Sequence, residues 1–243
     1  MTGDVLVAHQ PAYLPWPGFF SRLLDVDRFL LLDHVQFSRG GWQQRNYLRT
    51  AAGRQLVTVP VIQSAGQPIS QVRICGDRWR LQHWRTISQA YRRAPYYGQW
   101  SEQLEAVYAQ PWERLADVNM ALIELLLTAF GIRLRLLRSS QLQPSGHATP
   151  MLASLCELTG STILRVGTGA AGTGGYLDQA VLSQAGIAVE VASYTSRPYR
   201  QAFPGFTGRL SALDLLLNCG PDARQILAEG SAISRLAPQE AAR

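Results

Sequence analysis

Residues 5–20 read VLVAHQPAYLPWPGFF. Val5, Leu6, Val7 and Ala8 form a short apolar run that reads as a strand. The chain breaks at His9-Gln10-Pro11 and bends again at Pro15-Trp16-Pro17-Gly18. Phe19, Phe20, Leu23 and Leu24 then recur at helical spacing, which places a helix over 17–25. Strand, polar-aromatic loop, helix is the order that places a ligand just outside the carboxyl end of a strand in an α/β sheet. His9, Gln10, Tyr13 and Trp16 are large hydrogen-bonding or stacking side chains where a plain connector would use small turn residues. The competing reading is an ordinary turn whose histidine and tryptophan are buried and satisfied.

The second dense polar stretch is 33–46. Asp33 closes an apolar strand, RFLLLD, and His34, Gln36, Arg39, Trp42, Gln43, Gln44, Arg45 and Asn46 follow. Arg45 beside Asn46 offers a bidentate cation and an amide, a pairing suited to phosphate or carboxylate. If the two early strands are neighbours, both polar stretches meet at one sheet edge. They would then share a small-molecule pocket: His9 and Asp33 as acid or base, Gln10, Gln36, Gln43 and Asn46 as amides, Arg45 as cation, and Tyr13, Trp16 and Trp42 as walls.

These residues carry a resemblance. HQPAYLPWPGFF is similar to the opening signature of the WbqC-like family. The likeness continues through LLDHVQFSRGGWQQRNYLRT, QLVTVPV, the helix with His83 and Tyr91, LADVNMALIELLLTAFGI, RLLRSSQL and LSALDLLLNCG, spanning about residues 5–220. The resemblance implies an acyl or aminoacyl transferase, glycyl transfer included. Its acceptor would be the amine of an amino sugar or related compound in bacterial surface-polysaccharide (O-antigen) or specialised-metabolite biosynthesis. The implied donor is nucleotide-linked or an aminoacyl-tRNA. The order of elements also resembles nucleotidyltransferase-like folds, from which this chain departs: His9 is followed by Gln-Pro-Ala-Tyr, not by the HxGH spacing. The alternative is a nucleotide- or RNA-binding module of the same fold without catalysis.

Composition narrows the field. A chain of 243 residues, 47% hydrophobic and 16% charged, suits one globular α/β domain. No apolar run reaches membrane-spanning length and no signal peptide is evident. Cys75, Cys156 and Cys219 are unpaired in number and far apart, which fits the cytoplasm and gives no zinc pattern. All 23 basic residues are arginine, so lysine nucleophiles, Schiff bases and P-loop lysines are excluded. Residues 1–100 hold twelve Arg against five Asp, a basic half that favours an anionic ligand.

Downstream, alternation predicts a strand over 55–61, and helical spacing predicts helices over 79–91, 100–108 and 115–130. This helical insertion, about 79–130, interrupts a largely parallel, three-layer Rossmann-like sheet. The sheet resumes as strand, helix, strand, helix, strand over 133–192, with a late helix over 210–217. Residues 221–243 read as a tail that frays or forms a marginal helix. His83 lies on the basic helix RWRLQHWRTISQAYRRAP, where arginines interleave with aromatics as on nucleic-acid surfaces. It is a candidate substrate contact or a packed core histidine. Gly167, Gly169 and Gly172 match GxGxxG, with Glu190 downstream. Their late place argues against a dinucleotide site, and Gly167 and Gly169 are kept as candidate phosphate binders. The spacing of His9, His34, His83 and His147 fits no metal. No cofactor is demanded, and a nucleotide is compatible.

Overall fold

The computed structural model describes residues 3–171 and 175–237. Its centre is a six-stranded sheet. The chain starts with β1 (Val5–His9), α1 (Pro17–Ser21) and β2 (Arg28–Leu31). A hairpin of β3 (Arg45–Thr50) and β4 (Gly53–Thr58) follows, then the short pair β5 (Val61–Ile62) and β6 (Arg73–Ile74). Three helices come next: α2 (Arg78–Tyr91), α3 (Tyr97–Ala109) and α4 (Leu115–Ala129). The chain returns to the sheet through β7 (Arg135–Arg138), α5 (Ala148–Thr159), β8 (Ile163–Gly167), α6 (Thr168–Ala171), α7 (Gln179–Gln184) and β9 (Ala188–Tyr194). It finishes with α8 (Ala212–Cys219), α9 (Ala223–Gly230) and β10 (Ser231–Arg235).

The strand order is β10-β9-β8-β1-β2-β7. Every pairing is parallel except that of β10 with β9. The mainly parallel α/β sheet read from the sequence is therefore present. The strands other than β10 alternate their side chains between two apolar clusters, as pleating requires. Val5, Val7, Phe29, Leu31 and Ile163 pack with α1, α2, α4 and α8 on one face. Leu6, Leu30, Leu164 and Val189 pack with α5 and α7 on the other.

This arrangement has a consequence for ligand binding. From β1 the chain steps through β2 to β7 with its helices on the first face. It then returns to β8 and β9 on the far side of β1 with its helices on the second. The order reverses between β1 and β8, so the crevice beyond the carboxyl ends of these two strands is the topological switch point.

Several elements differ from the sequence reading. The first helix stops at Ser21, and the chain turns through Asp25 in the left-handed region at φ 54°. The apolar stretch 55–61 is two strands, because Pro60 has no N–H to extend the ladder. Helices α2–α4 contribute Trp79, Ile87, Leu104, Leu122 and Ile123 to the same apolar cluster as β1 and β2. Past residue 220 the chain forms α9 and an edge strand. SAISR carries no apolar alternation because β10 buries almost nothing and is held by its antiparallel ladder to β9. No helix among the described residues is long and apolar enough to cross a membrane.

Candidate functional site

β1 and β2 are adjacent, with His9 opposite Leu31, so the loops after both strands meet. They are knitted together by hydrogen bonds. Tyr13 N–H donates to the Trp42 carbonyl at 3.0 Å. Gln43 Nε2 donates to Gln10 Oε1 at 2.7 Å, and Gln43 Oε1 accepts from Ser38 N–H at 2.9 Å. Asn119 Nδ2 on α4 donates to the Gln43 carbonyl at 2.7 Å. Asn46 Nδ2 donates to the Leu14 carbonyl at 2.6 Å, while its Oδ1 accepts from Tyr47 N–H at 2.8 Å. Leu14 sits at φ 44°, a strained conformation for a leucine, and Asn46 is the clamp that holds it. Asn46→Ala is expected to cost about 1–3 kcal/mol in chemical denaturation, because a buried carbonyl loses its partner as the strain is released.

Between these loops lies a cavity of about 400 Å³, lined by His9, Ala12, Pro15, Trp16, Phe19, Trp42, Asn46, Tyr47, Arg54 and Arg209. Trp16 and Trp42 are 42% and 57% exposed, unusually open for indoles, so their faces are available to a ligand. The Trp16 ring folds over Gly18, where any Cβ would lie 2.1 Å from the indole, and it meets Tyr194 edge-on at 5.6 Å. Arg54 projects from β4 with its guanidinium over the Tyr47 ring, 5.0 Å from the centroid. Neither Arg54 nor Arg209 has a carboxylate partner among the described residues, and the lining holds no acid. Arg209 is itself strained at φ 57°.

His9 is the titratable group at the floor. Its ring packs edge-on against Phe19 at 5.2 Å. Nδ1 lies 2.8 Å from the Gln10 carbonyl, which can only accept, so Nδ1 carries the hydrogen. Burial, reinforced by the nearby Arg22 charge and opposed by the bond to Gln10, pushes the imidazole down to about 4. At neutral pH the ring is therefore uncharged. Nε2 has no partner among the described residues and holds the lone pair.

The other sequence candidates separate from this centre. Among the described residues no hydrogen bond joins Asp33 to His9. It is 1% exposed, and its carboxylate accepts from Arg138 Nε at 2.7 Å, Ser140 N–H at 2.8 Å and Ser140 Oγ at 2.8 Å. Burial works to raise its pKa, but the Ser140 N–H, the Arg138 guanidinium and the Ser140 hydroxyl together hold it below the usual carboxylate range. Asp33 thus closes the β2–β7 edge, an ion pair formed across more than a hundred residues of chain.

Arg45 is drawn away by Trp42, lying 5.9 Å from its ring centroid, and does not line the cavity. Gln10 and Gln43 are spent on each other. Gln36 forms an exposed bridge with Pro68. Tyr13 is fully buried, its hydroxyl 2.7 Å from both His83 Nδ1 and the Tyr108 hydroxyl. His83 is therefore a packing histidine beneath the site, pushed by burial to about 4. Gly167 ends β8, and a Cβ on Gly169 would meet open space. Gly172 lies outside the described residues. Among the described residues no group of three His, Cys, Asp or Glu is arranged to hold a metal.

Of the residues read from the sequence, His9, Trp16, Trp42 and Asn46 come together. Tyr47, Arg54, Arg209 and Phe19 were not singled out as site residues. Tyr47 and Arg54 are exposed or half-buried positions on the outer face of a hairpin and could have been found by its alternation. Arg209 sits in an irregular segment with no local signal.

Comparison with known proteins gives the class. A model of the WbqC-like protein family matches residues 10–226, and the chain belongs to that family. It is also similar to a Mycobacterium tuberculosis protein named "Uncharacterized protein Rv1507c". The two are 32% identical over 223 residues, which is 90% of this chain and 95% of the other.

Proposed function

We propose that the protein is an acyl or aminoacyl transferase, glycyl transfer included, acting on the amine of an amino sugar or similar acceptor in the cytoplasm. His9 Nε2 is the general base. The free acceptor amine attacks the donor carbonyl, Nε2 takes a proton from it as the carbon–nitrogen bond forms, and that proton passes to the donor's leaving oxygen as the carbonyl–oxygen bond breaks. Trp16, Trp42 and Tyr47 stack on the sugar or on a donor base. Arg54 and Arg209 hold an anionic part of the donor, whether a nucleotide or the phosphodiester end of an aminoacyl-tRNA. The observation that carries this reading is a neutral imidazole with its proton on Nδ1, at the floor of an aromatic, acid-free cavity. The place of the cavity beyond the carboxyl ends of the parallel strands, near the switch point of the sheet, supports a ligand-binding role.

The test is a transfer assay in lysate-free reactions with candidate amines and donors, comparing the wild type with Arg54→Ala and Arg209→Ala. Each variant is expected to raise the apparent donor KM about ten-fold, as loss of a charge-assisted contact of 1.5–3 kcal/mol or less at a wet rim would do, with roughly unchanged kcat. Donor KM values unaffected in both would remove the arginines from the site.

A second reading, an RNA-binding module without catalysis, is favoured by one observation. Arg78, Gln82, Arg85 and Gln89 are exposed along one side of α2, and Arg92 and Arg93 are exposed just past its end. RNA binding should weaken steeply with salt, whereas small-molecule binding in the cavity should be tolerant of it.

A further inference from the structure

We infer that Arg22, set against Gly167 at the topological switch point between β1 and β8, is a phosphate-binding residue next to His9. The inference rests on the transferase reading only for the fate of the ligand, since it assigns the bound group as a phosphate of the donor.

Three independent features converge there. The first is topological. His9 ends β1 and Gly167 ends β8, the two strands between which the sheet order reverses, and both residues fall on the α1 side of the sheet. The second is steric. Arg22 leaves the end of α1 and lays its guanidinium on the Gly167 backbone. A Cβ at that glycine would sit 2.6 Å from Nη2 and 3.0 Å from Cζ. Gly167 does not adopt a positive φ, so backbone conformation does not require the glycine, but the approach of the guanidinium does.

The third is electrostatic. Arg22 Nε is buried with no hydrogen-bond partner, and among the described residues no carboxylate pairs with the guanidinium. The backbone carbonyl of Arg22 is bonded by Arg165, which in turn pairs with Glu190, so the segment is anchored while its charge is left uncompensated. Burial lowers the Arg22 pKa, the sign expected of a cation held without its counter-charge. A half-buried, unpaired guanidinium against the strand end of Gly167, with the uncharged imidazole of His9 at the end of the neighbouring strand, suits a tetrahedral anion. A phosphate offers enough acceptor oxygens for the guanidinium fork, and oxygens remain to point towards His9.

Gly167 and Gly169 are the candidate phosphate binders that the glycine-rich stretch offers. The structure gives Gly167 a physical reason and brings in Arg22, which no motif marks.

The test is titration of the protein with pyrophosphate, followed by calorimetry and by ¹⁵N-histidine NMR of His9. The wild type is expected to bind pyrophosphate, and bound anion should raise the His9 pKa by offsetting the Arg22 charge. Arg22→Gln is expected to weaken binding at least ten-fold. It should also raise the His9 pKa in the unliganded protein, because a like charge is gone. Gly167→Ala keeps the charge but puts a methyl where the guanidinium lies, and is expected to weaken binding comparably without changing thermal unfolding by more than a few degrees. Pyrophosphate binding that is undetectable in the wild type, or unaltered in both variants, would overturn the assignment. Acetate binding as tightly as pyrophosphate would also overturn it, by making the site a carboxylate site. Failure of the transferase reading would appear elsewhere, in transfer that survives His9→Gln.

Discussion

His9→Gln should reduce transfer about 100- to 10,000-fold, the usual contribution of a positioned general base, while thermal unfolding moves by only a few degrees. Glutamine keeps a donor that can reach the Gln10 carbonyl and fills most of the space against Phe19, so the loop need not rearrange. What it lacks is a lone pair of imidazole basicity at the Nε2 position. Loss should fall on kcat more than on donor KM, because donor anchoring is assigned to Arg54 and Arg209. The pH profile carries a second signature. With the folded-state value at about 4, the ring is already an acceptor throughout the neutral range. At a constant concentration of free acceptor amine, activity limited by His9 should be flat from neutrality down and fall only as the pH approaches about 4. A limb near 6.5, the ordinary histidine value, would assign the essential base to another group. A variant that unfolds would instead mark His9 as a packing residue of the loop.

Acid stability should show the second large effect. His9 and His83 both have folded-state values of about 4 against an ordinary 6.5, burial being the main cause in each. Between those two values the unfolded chain binds protons that the native state refuses. Their stabilisation is therefore fully present above about pH 6.5 and is lost as the pH falls towards 4, by about 3 kcal/mol per ring. His83 is the cleaner probe because its ring is enclosed by Tyr13, Trp79 and Tyr108, at centroid distances of 5.6, 5.4 and 6.5 Å. Urea denaturation at pH 7 and pH 4.5 should show a steep loss for the wild type and about half that loss for His83→Gln. Equal pH dependence in the two proteins would mean that His83 titrates normally. Asp33 acts in a lower window: its value lies below the carboxylate range, so its contribution persists until the more acidic region is reached.

Much of the fold could be read from local pattern. The apolar run Val5–Ala8, the Pro-broken loop and the phenylalanines of α1 are short-range signals, and they place β1 and the start of α1, though the helix ends at Ser21. The adjacency of β1 and β2 follows from a short connection with a helix between parallel strands, which is why the polar stretches after them meet. What stayed hidden depends on partners far along the chain. Asp33 looked like a site carboxylate because nothing near it in sequence reveals that Arg138 and Ser140 will claim it. Arg45 looked like the site cation, yet the neighbouring Trp42 offers its ring face and turns the guanidinium aside. Tyr13 and His83 both read as possible ligand contacts. Only the packing of α2 over the loop shows that they satisfy one another. Arg209 and Arg22 could not be found from spacing, since one belongs to an irregular segment and the other to a turn.

The protonation state of His9 is the centre of this account, and it can be measured without knowing the substrate. Long-range ¹H–¹⁵N correlation of the histidine side chains, assigned with His9→Gln, reports which ring nitrogen bears the hydrogen and follows it with pH. The expected result is a neutral ring protonated on Nδ1 at pH 7 that begins to titrate only near pH 4. A ring protonated on Nε2, or one that titrates near 6.5, would leave the cavity without the base assigned to it.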